Sequence, residues 1–399
     1  MSLPICTLFL MKRQKRAFGT VSGKISARGE GAAATALTAS WRAATGNGRE
    51  LTHGFHAYPA RMHPLQARAL MAAFSPAGGV VVDPFCGSGT VLVEALAAGR
   101  RGIGTDINPI ALALAHQKTR RVPGKSRRAM EESAAAIART GGKASRDKTP
   151  IEAADKDARD WFTPTVLREL GALAHGITRV QDAERASMLR LVLSSLLVKV
   201  SRRTSETNPR RDDTQINPGQ TSRMFADRAI ELGAGLAALE QTAERSAREP
   251  LVVRADARAL PVLPGTADLV LTSPPYAGTY DYADIQSLRA SALGIELSDA
   301  RARQIGARAT STTYYENALS VALRAARHAL KPTGSLVVVI GDSAPARGEF
   351  VHGEELLKRL AVDAKLTWVA TASQERLPLP PATGKPRREH VILLRPAGA

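Results

Sequence analysis

Cysteine is nearly absent from this sequence: Cys6 and Cys86 are the two in 399 residues. Two thiols exclude a disulfide framework and a cysteine-rich zinc site, and they suit a reducing cytosol. No metal site is expected. Long apolar runs are missing as well. The richest, "LVLSSLLV" (191–198), is bounded by Arg190 and Lys199. It falls well short of the roughly 20 residues that span a bilayer, so it reads as a buried helix and no membrane partner is expected. Acidic residues are in deficit, with 37 Asp and Glu against 55 Lys and Arg and a formal charge of +18. Such a field favours a polyanionic partner and says nothing about fold.

The opening segment carries no acid before Glu30. Its positive charges follow a short apolar run, whereas a secretory signal has them in front. A transit-type composition is one reading. The simpler one is a disordered basic arm over residues 1–48, its Ala-, Gly-, Ser- and Thr-rich part, 31–48, serving as a linker.

What is present begins near His53. "GGVVVD" (78–83) reads as a buried strand and "PFCGSGT" as a tight loop. "VLVEALAAG" (91–99) reads as a helix closed by Gly99, and "RGIGTD" (101–106) as a second strand. Asn108-Pro109 opens a helix that runs to Lys118. Strand, glycine loop, helix, strand, helix is a βαβ unit on a parallel sheet. Further strands are expected at 250–256, 267–273, 335–342, 366–373 and 389–396. Helices are expected at 65–74, 164–200, 222–247 and 315–330. The α/β domain is therefore split, with parts at 49–120 and 250–399 and a basic helical insertion at 121–249.

Asp83, Gly87, Gly89 and Asp106 stand where an open α/β sheet binds a nucleotide-type cofactor, at the carboxyl ends of strands. Glycines let the backbone approach the ligand, and an acid at the end of the next strand can hold ribose hydroxyls. A phosphate-binding loop needs Gly-Lys-Ser/Thr, but Gly89 is followed by Thr90 and Val91. A dinucleotide fingerprint needs a third glycine where Leu92 stands. A pyrophosphate cofactor is not expected.

Beyond the apolar run "ADLVL" comes Ser273-Pro274-Pro275-Tyr276. Prolines stop the strand because they lack the N–H of a ladder, and they hold the following tyrosine at a fixed angle. That makes either a loop staple or a platform for a flat ligand.

Together, "DPFCGSGTVLVEA", "GIGTDINP" and "TSPPY" resemble the amino-methyltransferases that act on nucleic-acid bases. The resemblance implies a Rossmann-like class I methyltransferase fold, with a mostly parallel seven-stranded sheet and helices on both faces. It implies S-adenosyl-L-methionine as cofactor. Phe55, Tyr58 and Pro59 resemble the segment that closes over it. Asp83 and the loop Phe85, Cys86, Gly87, Ser88, Gly89 and Thr90 resemble the methionine-moiety site. Asp106 would take the ribose hydroxyls, Ile107 would lie on the adenine ring, and Asp256 would accept from the adenine amine.

Ser273 and Pro274 would accept both hydrogens of an exocyclic amine and turn its lone pair toward the methyl. Pro275 would stiffen that turn, and Tyr276 would stack on a flipped base. Serine in first place implies N4 of cytosine, with N6 of adenine second. Tyr280 and Tyr282 either line the base pocket or pack the next helix. Arg202, Arg203, Arg210, Arg211 and Arg223 lie among Ser, Thr, Asn and Gln, the side chains that grip phosphates and read base edges. DNA is the expected partner, RNA the alternative, and a catalytically silent nucleic-acid-binding module the rival from another class. Any restriction endonuclease would be a separate chain, in a bacterial or archaeal cytosol.

Overall fold

The computed structural model describes residues 23–145, 156–207, 211, 215–345, 349–376 and 387–398. Residues 1–22 of the expected arm lie outside the described residues, and the rest begins with order where an arm and linker were expected. Strand β1 (Ile25–Gly29) leads into helix α1 (Gly31–Ala43). Ala33, Leu37 and Trp41 recur every fourth residue and form a buried stripe. The Trp41 indole N–H donates to the Ala372 carbonyl at 3.0 Å. Alanine-rich composition resembles a linker, yet alanine is the best helix former, and one apolar stripe is enough to dock such a helix.

Next come α2 (Pro64–Phe74), β2 (Val80–Asp83), α3 (Thr90–Ala97), β3 (Arg101–Asp106) and α4 (Pro109–Lys118). Asn108 caps α4 by accepting from the Ile110 N–H at 3.0 Å, with Pro109 in the first turn where no N–H is missed. Five helices follow: α5 (Gly124–Ala144), α6 (Lys156–Trp161), α7 (Pro164–Thr178), α8 (Ala183–Val200) and α9 (Gln220–Thr242). Then come β4 (Leu251–Arg254), β5 (Ala267–Thr272), α10 (Tyr282–Ile285), α11 (Ser287–Leu293), α12 (Ser298–Arg303) and α13 (Thr312–Ala329). Strand β6 (Leu330–Gly341), α14 (Gly353–Asp363), β7 (Leu366–Arg376) and β8 (Arg387–Pro396) complete the order.

The sheet runs β1-β7-β8-β6-β5-β2-β3-β4. Strands β4, β3, β2, β5 and β6 are parallel, β8 is antiparallel to β6 and β7, and β1 is antiparallel to β7. The seven expected strands are present and β1 makes an eighth; antiparallel β8 and β1 make the sheet mixed. Strand residues alternate between two buried faces. Val81, Leu269, Leu271, Val337 and Val339 meet α1, α2 and α3. Val82, Val270, Leu336, Val338 and Ile340 meet α13 and α14.

The chain winds outward from β2 to β3 and β4, then returns to β5 beside β2. That reversal opens a crevice above the carboxyl ends of β2 and β5, where ligands of open α/β sheets bind. It brings Asp83 and Ser273 to one cleft. The helices of the insertion pack on α4 through one core, in which Met130, Leu173, Leu189 and Phe225 join Ile110 and Leu114. Among the described residues, no helix is long and apolar enough to cross a membrane.

Candidate active site

A cleft, partly open to solvent, lies over the β2–β5 switch point. Its floor is the loop after β2. Gly87 has φ +49°, and a Cβ there would lie 3.2 Å from the Tyr58 ring. Gly89 has φ +82°, with Ala115 Cα of α4 only 2.9 Å from a would-be Cβ. Both positions need a residue without a side chain. Lys118, fully buried at the end of α4, donates to the Ser88 carbonyl at 3.0 Å and pins the loop from behind.

Two carboxylates face this floor. Asp83 accepts from the Thr272 hydroxyl at 2.7 Å and from the Phe85 N–H at 3.2 Å. Burial pushes its pKa up to about 7. Asp106 accepts from the Gly87 and Asn108 N–H groups, each at 2.9 Å. Burial pushes it up to about 6, against those two hydrogen bonds. Nearby, Ser88 Oγ and Asn108 Nδ2 are buried with no hydrogen-bond partner among the described residues. Unpaired buried polar atoms cost stability, so a cleft lined by two of them is built for a ligand that supplies partners.

The cleft wall includes Tyr58, Pro59, Asp83, Phe85, Cys86, Gly87, Ser88, Thr90, Asp106, Ile107 and Asp256 of the expected cofactor set. Gly89 lies behind, against α4. Phe55 is a correction. It is 2% exposed inside the helical core, with the Arg228 guanidinium 5.4 Å from its ring centroid. It faces the insertion because a bare phenyl ring gains more from that core than from a wet cleft. Asp256 lines the cleft, but its carboxylate already holds the Arg258 fork at 2.9 and 2.7 Å and Arg303 at 3.3 Å. Burial works to raise its pKa, and the Arg258 pairing outweighs it, leaving the group below the usual carboxylate range.

Ser273, Pro275 and Tyr282 reach the same cleft. The Pro275 carbonyl accepts from the buried Tyr315 hydroxyl at 3.0 Å, so the turn is clamped by α13. No hydrogen bond to the Pro274 carbonyl is found among the described residues. Tyr276 is set behind the wall. Its ring packs on Gly341, where a Cβ would come within 2.6 Å, and its hydroxyl donates to Glu389. The Arg376 guanidinium stands 5.4 Å from the ring centroid and pairs with Glu389 at 2.6 Å. Tyr280 meets Tyr282 edge-on, ring centroids 5.7 Å apart.

Arg203 lies over the Trp161 ring at 4.5 Å and Arg211 at 5.9 Å, Arg211 also pairing with Asp160 at 3.7 Å. The Arg202 N–H donates to the Trp161 carbonyl at 2.8 Å, and Arg223 is exposed in the first turn of α9. Arg210 lies outside the described residues. Sequence reasoning missed Arg61, Asn108, Gln304 and Ile305 of the cleft wall. It also missed Tyr315, Arg376 and Glu389. The Asn-Pro helix start was a usable signal for Asn108, and the neighbouring Tyr58-Pro59 was one for Arg61; the others are brought in by distant elements and carry none.

A Rossmann-like sheet with a cleft at its switch point defines the class, and comparison with known proteins narrows it. Residues 14–117 match the family described as DNA methylase, of the N6 and N4 type. Over 90 residues the chain is 43% identical to the Type II methyltransferase M.MvaI of Kocuria varians, covering 22% of this chain and 20% of that one. Over 66 residues it is 35% identical to the Type II methyltransferase M.MjaII of Methanocaldococcus jannaschii, covering 16% and 12%. The aligned part thus spans a fifth or less of these relatives. The likeness to DNA amino-methyltransferases read from the motifs is borne out over that segment. Among solved structures, TrmN from Thermus thermophilus matches at 16% identity and TM-score 0.34, over 84% of this chain and 49% of that one. The rRNA methyltransferase aviRa from Streptomyces viridochromogenes matches at 14% and 0.33, over 84% and 86%.

Proposed function

We propose that the chain transfers a methyl group from S-adenosylmethionine to the exocyclic amine of a flipped base in DNA, with N4 of cytosine the first target. The observation that carries this is the juxtaposition, in one cleft, of Ser273 with the glycine loop and its two carboxylates. S-adenosylmethionine bears two cationic groups, a sulfonium and an ammonium, and when bound it supplies the methyl. Burial raises Asp83 and Asp106 despite the hydrogen bonds they accept, and a cationic ligand would favour their charged forms. Asp106 keeps lone pairs for ribose hydroxyls, and Ser88 Oγ and Asn108 Nδ2 gain partners. Ile107 and Pro59 offer apolar surface to a purine ring. Asp256 would have to share its carboxylate with Arg258, so its part in holding the adenine amine is secondary.

At the base, Ser273 Oγ and the Pro274 carbonyl accept the two amine hydrogens. The Tyr315–Pro275 bond and the prolines hold these acceptors still, so little order has to be gained on binding. Tyr282 supplies aromatic surface for the unstacked base, worth about 1–3 kcal/mol per stack, while Tyr276, behind the wall, braces the tetrapeptide. The arginines around Trp161 and at the start of α9 contact the phosphates, with a steep dependence on salt. N6 of adenine, and a base amine in RNA, are the nearest alternatives.

The test is sequencing, with base-modification detection, of DNA from cells that express the chain. N4-methylcytosine in one sequence context is expected. N6-methyladenine would reassign the base. Unmodified DNA, with no methyl transfer to DNA by the purified protein, would refute the reading.

A further inference from the structure

Helices α10 and α11 follow the tetrapeptide in sequence, yet they are built into the core of the insertion. Ala283, Leu288 and Ala290 are buried in one cluster with Leu193, Leu196 and Leu197 of α8. Between Leu288 and Ala290 stands Arg289, its side chain 1% exposed. Its guanidinium has partners on two other parts of the chain. Nε donates to Glu206 Oε1 at 2.7 Å. Nη1 donates to the Ser194 carbonyl of α8 and, at 3.0 Å, to His56 Nε2.

Each partner leads to a different ligand. Glu206 follows Arg203, which lies over Trp161, by three residues. His56 Nδ1 donates to the Ala57 carbonyl at 2.7 Å, and Tyr58, next along, lines the cofactor cleft with its ring 3.2 Å from a would-be Gly87 Cβ. Burial, with the Arg289 charge second, holds His56 well below its usual pKa. The ring is therefore neutral, and its two contacts set the tautomer: Nδ1 carries the hydrogen and Nε2 accepts from Arg289. Tyr282, on the helix before Arg289, lines the cleft as well. A planar guanidinium holds such partners in fixed directions, and burial makes each of them costly to abandon.

We propose that Arg289 is a positioning residue that couples the two ligands: by bonding the insertion loop, α8 and the aromatic-proline segment at once, it makes DNA binding at the insertion and cofactor binding in the cleft strengthen each other. This rests on the proposed function. DNA held at Arg202 and Arg203 steadies Glu206, and through Arg289 it steadies Tyr58 on the cofactor loop and the helix that carries Tyr282. Order gained with the first ligand need not be gained again with the second. Such coupling is reciprocal, so each ligand raises the affinity of the other by the same factor.

The experiment measures affinity for S-adenosylhomocysteine, which fills the cleft without being consumed, with and without an unmethylated duplex carrying the site. Wild type is expected to bind it about tenfold more tightly when the duplex is present. Arg289→Lys keeps a charge beside Glu206, but one ammonium cannot span Glu206, Ser194 and His56 as the fork does. The gain should then shrink to about twofold or less, and single-turnover methyl transfer should fall about tenfold or more, with affinity for S-adenosylhomocysteine alone within about threefold of wild type. Glu206→Ala cuts the link to the insertion loop at a side chain that is 9% exposed, and should lose the gain in the same way; it carries the test if Arg289→Lys does not fold. A residue that merely held the fold together would lower the melting temperature or both affinities and leave the gain as it was.

The full gain kept in either folded variant overturns the assignment while leaving the proposed function intact. A wild-type protein that methylates the duplex but binds S-adenosylhomocysteine equally well without it overturns the assignment as well. A wild-type protein that transfers no methyl to any duplex overturns the proposed function and this inference together.

Discussion

Acidification should strip a cationic cofactor from this cleft, and the structure says by how much. In the free protein, burial raises Asp83 to about 7 and Asp106 to about 6, against an ordinary 3.8. At about pH 5 both are largely protonated, and a ligand that needs them charged must displace two protons. Each proton costs up to tenfold in affinity per pH unit below its pKa. Between about pH 8 and about pH 5 that amounts to about tenfold from Asp106 and up to about 100-fold from Asp83. Asp106 is partly open to the cleft, so its share is an upper bound.

The sign for stability is the opposite. A carboxylate with a raised folded pKa favours the fold below its ordinary value, and that contribution is lost as pH climbs through about 6 to 7. The free protein should therefore lose stability toward neutral pH while the thermal shift produced by the cofactor grows. Titration calorimetry with S-adenosylmethionine across this range, in two buffers of different ionisation enthalpy, reads both affinity and proton release. An affinity flat from about pH 5 to about pH 8, with no protons released, would refute the reasoning.

Other outcomes follow from single contacts. Tyr276→Ala should leave S-adenosylmethionine binding within about twofold of wild type and lower methyl transfer about tenfold or more, because the ring that packs on Gly341 and the bond to Glu389 that brace the tetrapeptide are both lost; equilibrium binding beside single-turnover rates checks this. Gly89→Ala places a Cβ 2.9 Å from Ala115 Cα at φ +82°, and should cost about 1–3 kcal/mol in chemical denaturation. Trp41→Ala removes the ring that docks α1 and its bond to Ala372, and should cost about 3–5 kcal/mol; a change below about 1 kcal/mol would mean that α1 is not part of the cooperative fold.

The glycine loop, Asp83, Asp106 and the tetrapeptide were legible because each is local: a short buried strand, a loop that tolerates positive φ, and a polar group at the strand's end. Helix α1 was not, since Ala33, Leu37 and Trp41 become a stripe only when a sheet face is there to receive them. Helix α5 was hidden for a similar reason, its basic face outnumbering Met130, Ala134 and Ile137. Phe55 was misplaced because proximity to Tyr58 in sequence says nothing about which side of the chain an aromatic faces. Asp256 was found, but its engagement by Arg258 and Arg303 depends on rotamers and on α12.

By itself the sequence determined the parallel α/β core, the cofactor loop and the clamp after β5, because these follow from periodicity and from the backbone preferences of glycine and proline, which act over a few residues. Only the tertiary structure decided what stands behind that clamp. Tyr315 reaches Pro275 from α13, and Arg376 and Glu389 reach Tyr276 because antiparallel β8 inserts between β6 and β7. Which partners a loop meets depends on strand order and helix packing, and that is a property of the folded sheet, not of any stretch of its sequence.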